Sequence, residues 1–273
     1  MKYIFFSKMV REQSISRLIE TLHHIGADGV DLTVRDGYPV NPKNVRTALP
    51  EAVKQFRAAG LAIPLVSAPT TLNSATAPYV EELWAACHDA NVLNVKIGYW
   101  PFEGKGYWET VDSARKQLDG FAQLAQRFGI KACLHTHSGS YVGLNASSTM
   151  HLAKGFSPSN IGVYLDPGHL AVNGEPLPMA FDMAQQYLTL VAIKDSIVLK
   201  GEAGKPRTSK FLPLGDGFVD WREMMQILAK RSYDGALSFH SEYEGWPETR
   251  LVEQTKKDIA FMRAIEAEVK GKV

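Results

Sequence analysis

Eight short apolar runs recur along this chain, and segments of helical periodicity separate them. The runs cover residues 2–6, 29–34, 61–67, 93–98, 131–137, 161–166, 188–194 and 236–241. The helical segments cover residues 14–26, 45–60, 78–90, 110–129, 220–231 and 250–268. Strict alternation of strand and helix predicts parallel strands joined by right-handed crossovers.

The number of these units and the length of the chain favour one closed barrel. A (β/α)8 TIM barrel takes roughly 250 residues, and this chain has 273. No Gly-x-Gly-x-x-Gly motif follows the first strand, so neither a doubly wound dinucleotide-binding sheet nor a nucleotide cofactor is expected. We therefore predict a single α/β TIM-barrel domain over residues 1–273.

Composition and charge narrow the classes of partner. Hydrophobic residues make up 45% of the chain, and the formal net charge is +1. A nearly neutral chain has no field that recruits nucleic acid or an anionic membrane, so a small molecule is the expected partner, and a homo-oligomer stays open. The first apolar stretch, residues 3–6, is too short for a signal peptide or a membrane span, which predicts a cytoplasmic location. Cys87 and Cys133 lie in no metal-binding or redox spacing and are predicted to be core thiols.

Ionisable residues directly follow four of the predicted strands. They form the clusters 135–139 (His-Thr-His-Ser-Gly), 166–169 (Asp-Pro-Gly-His), 194–196 (Lys-Asp-Ser) and 240–242 (His-Ser-Glu). Side chains alternate across a strand, so His135 shares a face with His137, and His240 shares one with Glu242. Each cluster alone would also suit a turn, an ion pair or a hydrogen-bonded core residue. Their joint placement predicts an active or binding site, because a purely structural barrel interior is filled by Val, Ile and Leu.

Four further residues are candidate substrate-binding groups. Arg35 ends the second strand, where a guanidinium could hold a carboxylate, a phosphate or a pair of sugar hydroxyls. Lys96 lies at the end of the fourth strand, and either cation could instead neutralise neighbouring carboxylates. Trp100 lies in the aromatic loop that follows, where a ring could stack on a sugar or simply cover the barrel mouth. Asp195 could bind substrate or form an ordinary ion pair with Lys194.

The segment 196–217 interrupts the alternation of strands and helices. Its composition includes four glycines, two prolines and the cations Lys200, Lys205, Arg207 and Lys210. We predict a long loop without regular secondary structure, placed after strand seven on the active face of the barrel. Such loops are commonly lids or binding loops, and the alternative is a solvated surface excursion.

Five motifs of the chain resemble those of a known superfamily. They are residues 29–32 (Gly-Val-Asp-Leu), 165–169 (Leu-Asp-Pro-Gly-His), 193–196 (Ile-Lys-Asp-Ser), 213–217 with 219–221, and 238–243. This combination resembles the xylose isomerase-like TIM barrel superfamily and its sugar phosphate isomerase/epimerase family. Members of the superfamily include ketose epimerases, inosose dehydratase and dehydroshikimate dehydratase.

The resemblance implies a divalent metal ion at the C-terminal mouth, held in many members by Glu, Asp, His and Glu from strands five to eight. Asp166 keeps its position, whereas His135 and His240 replace the two glutamates and Ala192 replaces the histidine. The set His135, Asp166 and His240 could still form a two-histidine, one-carboxylate site for Mn, Fe, Co, Mg or Zn. Loss of the metal is the alternative, with Lys194 and the histidines acting directly.

Three hypotheses of function follow from the resemblance and these residues. The first is an isomerase or epimerase that removes a proton next to the carbonyl of a sugar or related polyhydroxy compound, with His137 or His240 as base. Lys194 or the metal would stabilise the enediolate oxygen, and Glu242 would orient a histidine or carry the proton. The second is a lyase or dehydratase acting on a keto-sugar or cyclitol, in which His169 protonates the leaving oxygen. The third is a non-catalytic sugar-binding barrel.

Overall fold

A parallel barrel forms the body of the molecule, which a computed structural model describes for residues 1–271. The strands within these residues are Lys2–Phe6 (β1), Gly29–Thr33 (β2), Ala62–Ser67 (β3), Asn94–Lys96 (β4), Lys131–His135 (β5), Ile161–Leu165 (β6), Leu188–Ile193 (β7), Asp195–Leu199 (β8), Thr208–Leu212 (β9) and Ala236–Phe239 (β10). Eight of them close into a barrel in the order β1-β2-β3-β4-β5-β6-β7-β10. The predicted α/β TIM-barrel fold is therefore confirmed. The predicted domain also included Lys272 and Val273, which lie outside the described residues.

Helices connect the barrel strands and cover their outer faces. Over the same residues they are Ile15–Ile25 (α1), Val45–Ala58 (α2), Val80–Asp89 (α3), Tyr107–Phe128 (α4), Ala146–Ala153 (α5), Pro167–Asn173 (α6), Leu177–Met183 (α7), Trp221–Lys230 (α8) and Glu248–Lys270 (α9). The helices α5, α6 and α7 were not predicted, because each is too short to show a clear helical period. Within residues 1–271, no helix has the length and apolar character needed to cross a membrane.

The core has two parts, one inside the barrel and one between the strands and the helices. The smaller interior cluster consists of Ile4, Leu65, Cys133, Tyr164, Leu190, Ala192 and Ala236. Ala192 therefore lies among apolar neighbours at the position where the resemblance expects a histidine ligand. Both Cys87 and Cys133 are buried free thiols, and burial raises the pKa of each. The prediction of core thiols is confirmed.

The segment after β7 differs from its prediction. Strands β8 and β9 pair antiparallel in a two-stranded sheet separate from the barrel, so the expectation of a structureless loop over 196–217 was wrong. Ile197 and Val198 are β-branched and favour extended backbone, and the Gly- and Pro-containing residues between the strands form the connection. Phe211 on β9 places its ring 5.4 Å from the ring of His169. This hairpin therefore packs on the active face of the barrel, where the loop was predicted.

Candidate active site

Four strand ends bring the predicted ionisable residues together. His135 is the last residue of β5, while Asp166, Lys194 and His240 directly follow β6, β7 and β10. All four are buried, with at most 6% of their surface exposed. Parallel strands deliver these side chains to one end of the barrel, as the sequence predicted.

Asp166 is fixed by the helix that follows it. It is the N-cap of α6, and its Oδ1 accepts a hydrogen bond from the backbone N–H of His169 at 3.1 Å. Pro167 occupies the first helical position, which suits its fixed φ. A side chain at Gly168 would place its Cβ 2.5 Å from the carbonyl oxygen of Lys194. The motif Asp-Pro-Gly-His thus starts a helix that approaches β7 closely, and it is more than the simple turn its sequence suggests.

Lys194 is the centre of the buried charge network. Its Nζ lies 2.6 Å from Oε2 of Glu242 and 3.4 Å from Oδ2 of Asp166. It also lies 3.0 Å from Nε2 of His169 and 4.4 Å from the centre of the Phe211 ring. Burial opposes a charge on Lys194, but the carboxylates of Asp166 and Glu242 outweigh it and raise its pKa. The side chain is therefore a buried ammonium.

The two carboxylates around Lys194 are ionised. Burial disfavours their charge, but the Lys194 ammonium lowers the pKa of Asp166 well below its usual range. The same ammonium, together with Lys8, lowers the pKa of Glu242 well below its usual range. Lys8 forms a second ion pair with Glu242 from the 3-10 helix after β1. The result is a chain of alternating charges from Lys8 to Asp166.

The hydrogen bonds of His169 and His135 define the roles of their nitrogens. Because Lys194 is an ammonium, it donates to Nε2 of His169, so Nδ1 of that ring donates to Oγ of Ser138 at 2.8 Å. Nε2 of His135 donates to the ionised Asp166 at 3.2 Å, and its Nδ1 accepts from the Tyr99 hydroxyl at 2.8 Å. Burial lowers the pKa of both rings well below the usual value. Both are neutral rings with both nitrogens engaged.

His137 differs from these rings because one of its nitrogens stays available. Its Nδ1 lies 2.9 Å from the carbonyl oxygen of Ser138 and must donate to it. Nε2 consequently carries a lone pair, and no hydrogen bond to it occurs among residues 1–271. Burial and the Lys194 charge lower the pKa of His137 to about 4. The ring lines the pocket as a neutral base.

His240 belongs to a hydrogen-bonded chain that sequence reasoning missed. The Tyr164 hydroxyl donates to Oδ2 of Asp31 at 3.1 Å, so its oxygen accepts from Nε2 of His240 at 2.8 Å. Ser67 and Ser238 also donate to Asp31, at 2.7 and 3.1 Å. Only closure of the barrel brings Asp31 and Tyr164 to His240.

These groups surround a narrow pocket with about 340 Å³ of space not filled by protein atoms, which includes open solvent at its mouth. Its lining consists of Phe6, Lys8, Arg35, Ser67, Thr70, Lys96, Tyr99, His135, His137, Tyr164, Lys194, His240 and Glu242. Asp166 and His169 lie directly behind Lys194 and do not line it. Trp100 lines a smaller neighbouring cavity next to Tyr99 and Tyr141, so it is separated from the substrate-binding candidates Arg35 and Lys96.

Asp195 also lies apart from the pocket, and its carboxylate has a different role. Oδ2 accepts hydrogen bonds from the backbone N–H of Gly215 and Gly217 and from Nε1 of Trp221, at 2.9, 3.2 and 3.0 Å. Oδ1 accepts from the N–H of Ser196 and Val219, at 2.9 and 3.1 Å. These donors occupy the carboxylate and anchor the chain that leaves the hairpin. The geometry therefore does not support the predicted substrate contact of Asp195.

The grouping predicted for a metal is present, but its surroundings do not suit a divalent ion. Potential ligand atoms of His135, Asp166 and His240 all lie within 4.8 Å of one another. The Lys194 ammonium already lies 3.4 Å from the only carboxylate of this group, and both nitrogens of His135 are engaged. Ala192 supplies no fourth donor. The residues as arranged therefore do not fit a divalent cation.

A closed parallel barrel with ionisable groups at the carboxyl ends of its strands defines a TIM-barrel protein of the enzyme type. Residues 19–265 match the family model described as xylose isomerase-like TIM barrel, and the chain belongs to this family. The resemblance seen in the sequence motifs is thereby confirmed.

The sequence alignments with curated relatives cover only part of the length of those proteins. An inosose dehydratase from Histophilus somni (strain 129Pt) is 26% identical over 180 residues, which are 60% of this chain and 53% of that protein. An inosose dehydratase from Bacillus licheniformis is 24% identical over 209 residues, which are 73% of this chain and 65% of that protein. The chain thus spans about half the length of the first relative and about two thirds of the second.

Solved structures match over nearly the whole chain. A D-tagatose 3-epimerase-like protein superposes with a TM-score of 0.73 at 19% identity, covering 98% of this chain and 99% of that one. A 3-keto-D-glucoside 4-epimerase from E. coli superposes with a TM-score of 0.74 at 12% identity, covering 97% and 99%. At sequence identities this low, the structural similarity shows a shared fold.

Proposed function

We propose that this protein is an isomerase or epimerase that moves a proton at the carbon next to the carbonyl of a sugar or related polyhydroxy compound. The observation that carries the proposal is the buried Lys194 ammonium in one pocket with two imidazoles, His137 and His240. Their ring centres lie 6.1 and 5.4 Å from the ring of His135, which stands next to both. Proton transfer at such a carbon needs a base, an acid and a positive group for the developing oxyanion.

Each of these groups has a role that its hydrogen bonds support. His137 takes the proton on Nε2, since its Nδ1–H is held by the Ser138 carbonyl. The Lys194 ammonium stabilises the enediolate oxygen that forms when this proton leaves. To return a proton to the substrate, His240 would carry a second proton on Nδ1, because its Nε2–H is donated to the Tyr164 hydroxyl. The Tyr164 hydroxyl and the Asp31 carboxylate behind it hold the ring in position. Glu242 and His169 keep Lys194 directed into the pocket.

The positive charge of the site comes from Lys194 in this proposal, and no step uses a metal. Four cationic side chains and three carboxylates line or adjoin the pocket: Lys8, Arg35, Lys96 and Lys194, and Asp31, Asp166 and Glu242. These groups leave no excess of negative charge. Adding two further positive charges to a buried site without added carboxylates would cost of order several kcal/mol per ion.

A dehydratase is the second candidate, favoured by the matches to inosose dehydratases. It shares the first step, removal of a proton next to a carbonyl, and then expels a hydroxyl group at the next carbon. The leaving oxygen needs a proton, and in this candidate His240 would supply it from a second proton on Nδ1. His169, the acid predicted from the sequence, lies behind Lys194 with both nitrogens engaged.

Incubation with a panel of keto-sugars and cyclitol ketones in deuterated water tests the proposal. An isomerase or epimerase incorporates one solvent deuterium at the carbon next to the carbonyl, detected by NMR and mass spectrometry. Loss of a water mass from the product would assign the dehydratase instead. Binding of a sugar without any exchange or elimination would overturn the proposal and leave a non-catalytic sugar-binding barrel.

A further inference from the structure

Lys96 is a buried lysine that has no ion-pair or hydrogen-bond partner among residues 1–271. It is the last residue of β4, only 3% of its surface is exposed, and it lines the pocket. Its Nζ lies 4.1 Å from the centre of the Tyr99 ring, a cation–π contact. Within residues 1–271 its Nζ has no hydrogen-bond acceptor, and no carboxylate lies within ion-pair distance. A positive charge on this buried nitrogen costs free energy unless an anion pairs with it.

Arg35 is the second basic side chain of this kind at the same pocket. Its Nε donates to the backbone carbonyl of Ala68 at 3.2 Å, and its guanidinium stands over the Phe6 ring, 5.7 Å from the ring centre. No carboxylate of the described chain forms an ion pair with it. The terminal nitrogens of the guanidinium therefore keep their donors, in the planar arrangement that matches an oxyanion.

The other two cations of the pocket are paired with carboxylates. Lys8 pairs with Glu242, and Lys194 pairs with both Glu242 and Asp166. Asp31, the remaining carboxylate, accepts from Ser67, Ser238 and Tyr164, and neither unpaired cation reaches it. Of the four basic side chains that line the pocket, two are thus paired with carboxylates and two are not.

The environment of Lys96 adds support. Burial and the charge of Arg35 lower the pKa of Lys96 well below its ordinary value. An anion bound by Lys96 and Arg35 would offset both the cost of burying a charge on Lys96 and its repulsion by Arg35. A neutral hydroxyl group would remove neither the burial cost nor the repulsion.

We propose that Lys96 and Arg35 form a subsite for an oxyanion of the substrate, so that the substrate is a sugar acid or a sugar phosphate and not a neutral sugar. The inference rests on the proposed function, because it names the substrate class of the same pocket. A carboxylate and a phosphate share the chemistry this subsite recognises: oxygen atoms that accept charge-assisted hydrogen bonds from a planar guanidinium and an ammonium.

Binding of matched polyols tests the subsite without requiring turnover. Gluconate, sorbitol 6-phosphate and sorbitol have the same number of carbons and differ in the charged group. By isothermal titration calorimetry, at least one charged probe should bind about tenfold or more tightly than sorbitol, as expected for charge-assisted bonds to a buried partner. The charged probe that binds more tightly identifies the source of the oxyanion.

Two variants and a control locate the effect. Lys96→Met keeps the length and apolar stem of the buried side chain, and Arg35→Gln changes a partly exposed residue, so at least one should fold. Either change should remove most of the preference for the charged probe. Lys43→Met, at an exposed lysine that forms no ion pair among residues 1–271, should leave the preference unchanged.

Two results would overturn the subsite. One is equal affinity of the wild-type protein for all three polyols. The other is that neither the charged polyols nor inorganic phosphate raises the Tm of the wild-type protein more than that of the Lys96→Met variant. A preference for charged polyols without deuterium exchange would contradict only the proposed function. Deuterium exchange on neutral sugars without a preference for charged polyols would contradict only the subsite.

Discussion

The Lys194 ammonium lies 2.6 Å from the Glu242 carboxylate, and the same ammonium reaches Asp166 at 3.4 Å. Two carboxylates from the ends of β6 and β10 thus hold one buried cation from the end of β7. The resemblance to the family implies a divalent metal ion at this mouth of the barrel. Here a buried lysine occupies the place between these carboxylates and lines the pocket.

Replacement of Lys194 by methionine should slow solvent-deuterium exchange by about 10²- to 10³-fold, the usual effect of removing one group that stabilises an oxyanion. The affinity for substrate should change far less, because the lost interaction forms mainly in the transition state. Exchange followed by NMR measures the rate, and circular dichroism confirms the fold. Lys200→Met, on the exposed part of the hairpin, is the matched control. Exchange close to the wild-type rate in folded Lys194→Met would rule out the role given to this lysine.

The exchange rate should stay high well below pH 6. Burial and the Lys194 charge lower the pKa of His137 to about 4, so the imidazole remains an unprotonated base until the pH falls near that value. A pH–rate profile of the wild-type protein checks this, and His137→Gln should remove the exchange. An acid limb centred near 6.5, the ordinary histidine value, would contradict the assignment of His137 as the base.

The free energy of unfolding should decrease as the pH falls from about 6.5 towards 5. Burial lowers the pKa of His135 and His169 well below the usual value, so the unfolded chain takes up protons first and is favoured. Urea unfolding at several pH values measures the slope. His169→Gln should make the slope shallower, whereas His23→Gln, at an exposed position, should not alter it.

Chelation of metals should leave the exchange unchanged. The Lys194 charge lies beside Asp166 where a cation would need to bind, so the purified protein should contain substoichiometric Mn, Fe, Co, Mg and Zn by mass spectrometry. The comparison is a variant with the family ligand set, made by His135→Glu, Ala192→His and His240→Glu, which should gain metal. One tightly bound equivalent in the wild-type protein, with exchange lost on removal, would refute the metal-free mechanism.

Loss of the Asp195 carboxylate should loosen the hairpin without removing the pocket. Asp195→Ala leaves the N–H groups of Gly215, Gly217 and Val219 without their acceptor, at about 1–3 kcal/mol for each unsatisfied group that stays buried. Trypsin should then cut faster after the basic residues of the segment 196–217. Asp216→Ala, at an exposed carboxylate nearby, should be cut at the wild-type rate. Unchanged cleavage of Asp195→Ala would show that other contacts hold this segment.

Several features of the site followed from local sequence pattern. Alternation along β5 and β10 put His135 on one face with His137, and His240 on one face with Glu242. Parallel strands gave these residues and Asp166 a common end of the barrel. These inferences need only the period of a strand and the direction of parallel pairing, which neighbouring residues decide. The family motifs added the position of the replaced ligand, Ala192.

The sequence by itself therefore determined the barrel, the end that carries the site and most of the ionisable residues there. Only the tertiary structure decided their partners. The Tyr164 hydroxyl forms hydrogen bonds with Asp31, 133 residues away in the chain, and with His240, 76 residues away. Asp195 turns away from the pocket and binds backbone N–H groups. Closure of the barrel and folding of the hairpin create these contacts. A hydrogen bond depends on the final position of both atoms, which no local pattern specifies.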